Sequence, residues 1–190
     1  MKVRKTILGA IGRVSQGDIY KDVEVIDEML EDGGIIQFSK IVFPLVIVLT
    51  QDCDLEQDDN IRSGKKAVKD QDKLIFSVLV APLYNVEHVL TGDHLQQLNI
   101  KMQIFGSSTQ ETNLCNNEIP RYHYLDISTE VPVTPSVIDF KHYFSVHVDY
   151  LRGKTKDLVC RISPLFRDDI SDRFASYLAR IGLPKQWKEK

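Results

Sequence analysis

Between Gly17 and Leu49 two long stretches rich in β-branched residues are joined by Asp32-Gly33-Gly34. Glycine takes positive φ without penalty, so this junction turns the chain back on itself. Ile19, Val23, Val25, Met29 and Leu30 alternate roughly with charges on the outgoing stretch, and Ile35, Ile36 and Phe38 start the return. The spacing predicts a long β-hairpin. The return continues into Val42-Phe-Pro-Leu-Val-Ile-Val-Leu49, an apolar run that predicts a strand buried on both faces. Pro44 has no N–H to give a ladder and belongs at that strand's start or edge.

The rest of the chain adds shorter elements. Residues 51–72 turn from acidic to basic around Ser63-Gly64 and read as a long surface loop. Leu74–Ala81 reads as a second buried strand ended by Pro82. Val86–Leu90 and His94–Leu98 read as short helical pieces, and the Ser/Thr/Asn-rich 106–117 as another loop. Short strands are expected at Tyr122–Leu125, around Phe144, Val146 and Val148, and around Val159, Cys160 and Ile162. Ser163-Pro164 can start a helix, and Phe166, Ile170, Phe174, Leu178 and Ile181 give it one apolar stripe. Gly182 and Pro184 stop it. The expected fold class is α+β: a small, strongly bent antiparallel barrel with extra strands, short helices and a C-terminal amphipathic helix.

The chain has 190 residues, 43% of them hydrophobic, and a formal charge of −3. That fits a single domain over 1–190, with the barrel core at about 17–162 and the last helix at 163–182. A global basic field for nucleic acid is excluded, although a local patch is not. Cys53, Cys115 and Cys160 form no CxxC pair, which disfavours a disulfide framework and favours a reducing cytoplasm. The apolar part of the N-terminal segment is too short for a signal peptide. The run Ile41–Leu49 is about half of a membrane helix, so no membrane partner is expected. Walker, GxGxxG, HExxH and GxSxG patterns do not occur, and no cofactor is expected.

Gly17-Asp18-Ile19-Tyr20, followed by Phe43-Pro44-Leu45-Val46-Ile47-Val48-Leu49-Thr50, resembles the PemK/MazF-type toxin family over roughly the first 55 residues. The resemblance implies an SH3-like barrel and a metal-independent endoribonuclease of a bacterial toxin–antitoxin or phage-defence system. Thr50 matches that family's Ser/Thr at the strand end. Phe43 stands where the family has an arginine beside the proline. The strings Gln51–Leu55, Pro120–Leu125 and Arg173–Pro184 are similar to uncharacterised bacterial proteins.

Three places could carry chemistry. Thr50-Gln51-Asp52-Cys53-Asp54 follows a buried strand, where scaffold meets loop. Cys53 there is a nucleophile, a metal ligand with Asp54 and a histidine such as His123, or a small buried residue closing the barrel. In Arg121-Tyr122-His123-Tyr124, strand alternation puts the cation and imidazole on one face and the tyrosines on the other. Arg121 would grip phosphate, His123 would move a proton, and Tyr122 and Tyr124 would stack on bases, unless the tyrosines simply pack inward. Arg173 and Arg180 share a helical face that suits RNA, an acidic partner or plain solvent. His142 and His147 face opposite ways on a straight strand, and His88 and His94 have no ligand spacing. Three functions therefore compete: RNA binding or cleavage through Thr50, Gln51, Arg121 and His123; a non-catalytic interaction module using the C-terminal helix or 51–72; and a metal-dependent hydrolase.

Overall fold

The computed structural model describes residues 12–65, 71–127 and 131–180, with the backbone of 2–3. The strands are β1 (Lys2–Val3), β2 (Asp18–Asp32), β3 (Ile35–Val48), β4 (Ser77–Asn85), β5 (Tyr122–Ile127), β6 (Ser136–Asp139), β7 (Phe144–His147) and β8 (Leu158–Arg161). They form one sheet in the order β1-β5-β6-β4-β3-β2-β8, with β7 also on β4. Apart from the parallel β1–β5 pair, neighbours run antiparallel. The sheet curls into a half-barrel, and with its helices the fold is α+β and barrel-like.

The hairpin forms as its sequence predicts, with Asp32 opposite Ile35 around Gly33 and Gly34, both at positive φ. Pro44 sits inside β3 at an interruption of the β2 ladder: Lys21 pairs Leu45, Val23 pairs Phe43, and Asp22 between them has φ 54°. On its other side β3 pairs β4 only over Val46–Val48, so the missing N–H at Pro44 leaves no ladder bond unmade. Pro82 does not end β4 as expected. It lies within the strand opposite Val46, where β4 passes from pairing β7 to pairing β6.

Alternation splits the buried strand residues between two cores. Ile19, Ile47 and Ala81 join Leu125, Ile138 and Phe140 on one face. Tyr20, Val46, Val48 and Val80 join Leu55 and Leu151 on the other. Helix α5 (Pro164–Leu178) covers the first through Ile170 and Phe174, and α1 (Asp52–Arg62) and α4 (Val148–Gly153) cover the second. A third cluster packs α2 (Val86–Thr91) and α3 (Ser108–Cys115) against Tyr122 and Val137.

Two expected loops are helices. Residues 51–72 hold α1, because the charges that read as solvated are internal anchors. Asp52 and Asp54 stand at the positive end of the helix dipole. Buried Asp58 accepts from Arg62 one turn on and from the Ile75 N–H. Buried Asp59 accepts from Lys65 and Arg152. Residues 66–70 of that segment lie outside the described residues. In 106–117 a capping box between Ser107 and Gln110 starts α3, whose Leu114 is fully buried. In α5, Ile170 and Phe174 are buried as the stripe predicts, but Leu178 is half exposed. Ile181, Gly182 and Pro184 lie outside the described residues.

Candidate functional site

At the β3–α1 junction, Thr50 Oγ1 accepts from the Leu79 N–H at 2.7 Å and holds the strand end to β4. Gln51 is exposed, and its carbonyl receives the Leu55 N–H that opens α1. Asp52 gathers Arg13 through both oxygens, Arg167 at 3.2 Å and the Gln16 N–H. Burial raises the Asp52 pKa, but Arg13 and then Arg167 outweigh it and hold the carboxyl below its ordinary range. Below this lies buried Asp18, forked by Arg161 and receiving the Ser15 N–H. These pairs tie the start of the described chain, α1 and α5 to the sheet edge.

Cys53 is exposed, which corrects the reading of a small buried residue closing the barrel. Its Sγ lies 3.7 Å from Gln51 Oε1 and 3.7 Å from Asp54 Oδ1. Among the described residues no group of three or more His, Cys, Asp or Glu is placed to hold a metal ion. Cys53, Asp54 and His123 therefore do not come together as the alternative metal set: the first two lie on the exposed start of α1, the third in the core.

The β5 alternation forms as predicted, with the opposite consequence for catalysis. Tyr122 and Tyr124 pack toward α2 and α3. His123 turns under α5 and is 0% exposed, with its ring 6.3 Å from that of Phe140. Neither ring nitrogen has a hydrogen-bond partner among the described residues. Burial, aided by the Arg173 charge, pushes its pKa down to about 3. Asp169 Oδ2 is 3.9 Å from Nε2, beyond hydrogen-bond reach, and half exposed. A sealed, neutral imidazole cannot reach a substrate proton, so His123 is not the general acid or base expected of it.

Arg121 is committed as well. It forks Asp139 at 2.8 and 2.6 Å, and Asp139 is fully buried. Asp139 also faces His142 Nδ1 at 3.1 Å and accepts from the Lys141 N–H. The other nitrogen of His142 lies 3.4 Å from Arg121, and the Tyr84 hydroxyl is 3.2 Å from Nδ1. Burial lowers the His142 pKa, favouring the neutral ring. With both nitrogens occupied, this knot clamps β4, β5 and β6 together. No hydrogen bond or ion pair among the described residues joins Thr50 or Gln51 to Arg121 or His123.

On α5 the two predicted arginines diverge. Arg173 donates to the carbonyls of Ile119 and Tyr122 and pins the helix on β5. Arg180 is exposed and stacks over the Tyr177 ring at 3.8 Å.

Among the described residues an extended exposed apolar surface lies in the hairpin, inside the span 17–162 expected to form the barrel core. From Ile26 to Lys40 every residue is exposed. The distal hairpin is a two-stranded arm of about 20 Å, fastened at its base by the Glu24 N–H donating to Tyr150 Oη at 2.8 Å and by Phe43 stacked on Phe144 at 4.9 Å. Residues paired across the ladder share a face. One face therefore carries the pairs Glu24/Val42, Ile26/Lys40, Met29/Phe38 and Glu31/Ile36. Its five apolar side chains are 50–66% exposed. The arm holds five carboxylates, Glu24, Asp27, Glu28, Glu31 and Asp32, against one cation, Lys40. The sequence did carry a signal: strands of 15 and 14 residues are far longer than a small barrel uses.

Among the described residues no helix is long and apolar enough to cross a membrane. Compared with known protein families and with curated proteins, the chain finds no match in either.

Proposed function

We propose that the protein is a non-catalytic interaction module on a PemK/MazF-like barrel, engaging another protein through the β2–β3 arm. One observation carries this reading: a contiguous apolar face held in solvent beyond the core. Such faces are costly to leave bare and mark contact surfaces. The acidic balance of the arm disfavours a phosphate backbone as its target. The engagement of Thr50, Arg121, His123 and Arg173 inside the fold agrees with a scaffold rather than a ribonuclease. Three free thiols suit work in a reducing bacterial cytoplasm. The test is affinity capture from native-cell extract with the wild type and with Phe38→Glu. Capture of a defined protein that disappears with Phe38→Glu supports the module; equal recovery by both overturns it.

A second reading is RNA binding or cleavage in a toxin–antitoxin or phage-defence setting. Its support is the exposed Arg180, stacked over the Tyr177 ring at 3.8 Å. Such cation–aromatic pairs suit single-stranded bases and phosphates. Titration of labelled single-stranded RNA at two salt concentrations tests it. Salt-sensitive binding weakened several-fold by Arg180→Ala supports it, and binding indifferent to that change removes the assignment.

A further inference from the structure

We infer that the apolar face of the arm is the contact between two copies of this chain, laid face to face with the arms antiparallel. This rests on the interaction reading above and names its partner. Ile26, Met29, Ile36 and Phe38, at 56–66% exposure, offer roughly 500 Å² per copy, so self-association covers about 1,000 Å², the lower bound for a specific interface. The face itself is nearly neutral, carrying Glu24, Glu31 and Lys40. The excess acid at Asp27, Glu28 and Asp32 lies off this face or at its irregularity and stays in water.

Charge sets the arrangement. From base to tip the rows are Glu24/Val42, Ile26/Lys40, Met29/Phe38 and Glu31/Ile36. A two-fold axis at the Met29/Phe38 row stacks that row on itself. It also lays the Ile26/Lys40 row against the Glu31/Ile36 row of the second copy. Lys40, which pairs with Glu24 at 2.7 Å within its own chain, then lies between two carboxylates. Shifting the axis half a row toward the base would set Glu24 against Glu31 of the second copy, which like charge disfavours. The antiparallel arrangement also keeps the two barrels at opposite ends of the paired arms, whereas parallel arms would drive them together.

Edge-to-edge pairing is the competing geometry, and the arm carries features that oppose it. Asp27 breaks the β2 register between Ile26 and Glu28, Lys40 puts a charge on β3, and Pro44 lies at the base of the arm. Bulges, charges and prolines of this kind prevent strand addition.

Sedimentation velocity on the full chain across about 1–200 µM decides the matter. An interface at the lower size bound predicts dissociation at about micromolar concentration. The wild type should pass from monomer to dimer within this range. Phe38→Glu and Met29→Glu should both stay monomeric with unchanged far-UV circular dichroism. Glu31→Lys should weaken the dimer about tenfold, with greater loss at low salt. A wild type monomeric throughout, or a dimer indifferent to Phe38→Glu, overturns the second-copy assignment. If the wild type is monomeric yet Phe38→Glu still abolishes capture of another protein, the module survives and only the identity of its partner falls.

Discussion

His123 makes the stability of this protein acid-sensitive through one side chain. Its ring is 0% exposed with neither nitrogen bonded among the described residues, and its pKa falls from 6.5 to about 3. A base whose folded pKa is depressed binds its proton more readily when unfolded. Above pH 6.5 the ring is neutral in both states and proton linkage contributes nothing. As the pH falls from 6.5 toward 3, the unfolded chain takes up a proton that the fold refuses. Each pH unit in that window costs about 1.4 kcal/mol, so the loss at about pH 5 is ~2 kcal/mol. His123→Leu keeps similar bulk and removes the titration. The charges that act on the ring, among them the carboxylate of Asp169 and the guanidinium of Arg173, are common to both proteins, so the difference isolates residue 123. Urea denaturation at about pH 7 and pH 5 is the assay. The variant should match or exceed the wild type at pH 7, where it removes unsatisfied ring nitrogens. Its advantage should then grow by ~2 kcal/mol at pH 5. Parallel losses in both proteins, or an NMR titration of His123 near 6.5, would refute the argument.

Other consequences are equally direct. Asp139→Ala should cost about 3–5 kcal/mol in chemical denaturation, because it strands Arg121 and frees His142 from a fully buried partner. Gly92→Ala should cost more than ~2 kcal/mol in melting experiments: the residue has φ 78°, and a Cβ there would stand 2.8 Å from the Met102 carbonyl oxygen. Asp52→Ala should cost a milder ~1–2 kcal/mol, since its pairs with Arg13 and Arg167 are partly solvated. It should also speed hydrogen exchange in the first turn of α1. Iodoacetamide should alkylate native Cys53 quickly and Cys160 only on unfolding, because Cys160 is buried and its thiol pKa is pushed up to about 11.

The hairpin and C-terminal helix were legible because each carries a local signal: glycines at a turn, a proline at a first helical position, an apolar period. Helix α1 was hidden because Asp58 and Asp59 are polar residues buried by partners distant in sequence, Ile75 and Arg152. No window of the chain contains those partners. The same blindness affected the candidate site. Arg121 and His123 sit two residues apart and look like a catalytic pair. Whether such a pair meets solvent depends on α5 arriving from some fifty residues later, as the Arg173 bond to the Tyr122 carbonyl shows. The exposure of the arm is not legible in the sequence, because alternation reports which residues share a face, not whether anything covers it.

The outer edge of β2 is closed by β8 at its base, over Asp18–Tyr20, and Arg161 reaches back 143 positions to fork Asp18. A nascent chain emerging from the ribosome can fold its hairpin early, since that contact is local. It cannot seal the sheet margin until β8, some 140 residues later, has been synthesised. During that interval the growing chain exposes an open strand beside an acidic apolar arm. A stalled or prematurely terminated product would therefore be the form most in need of a chaperone.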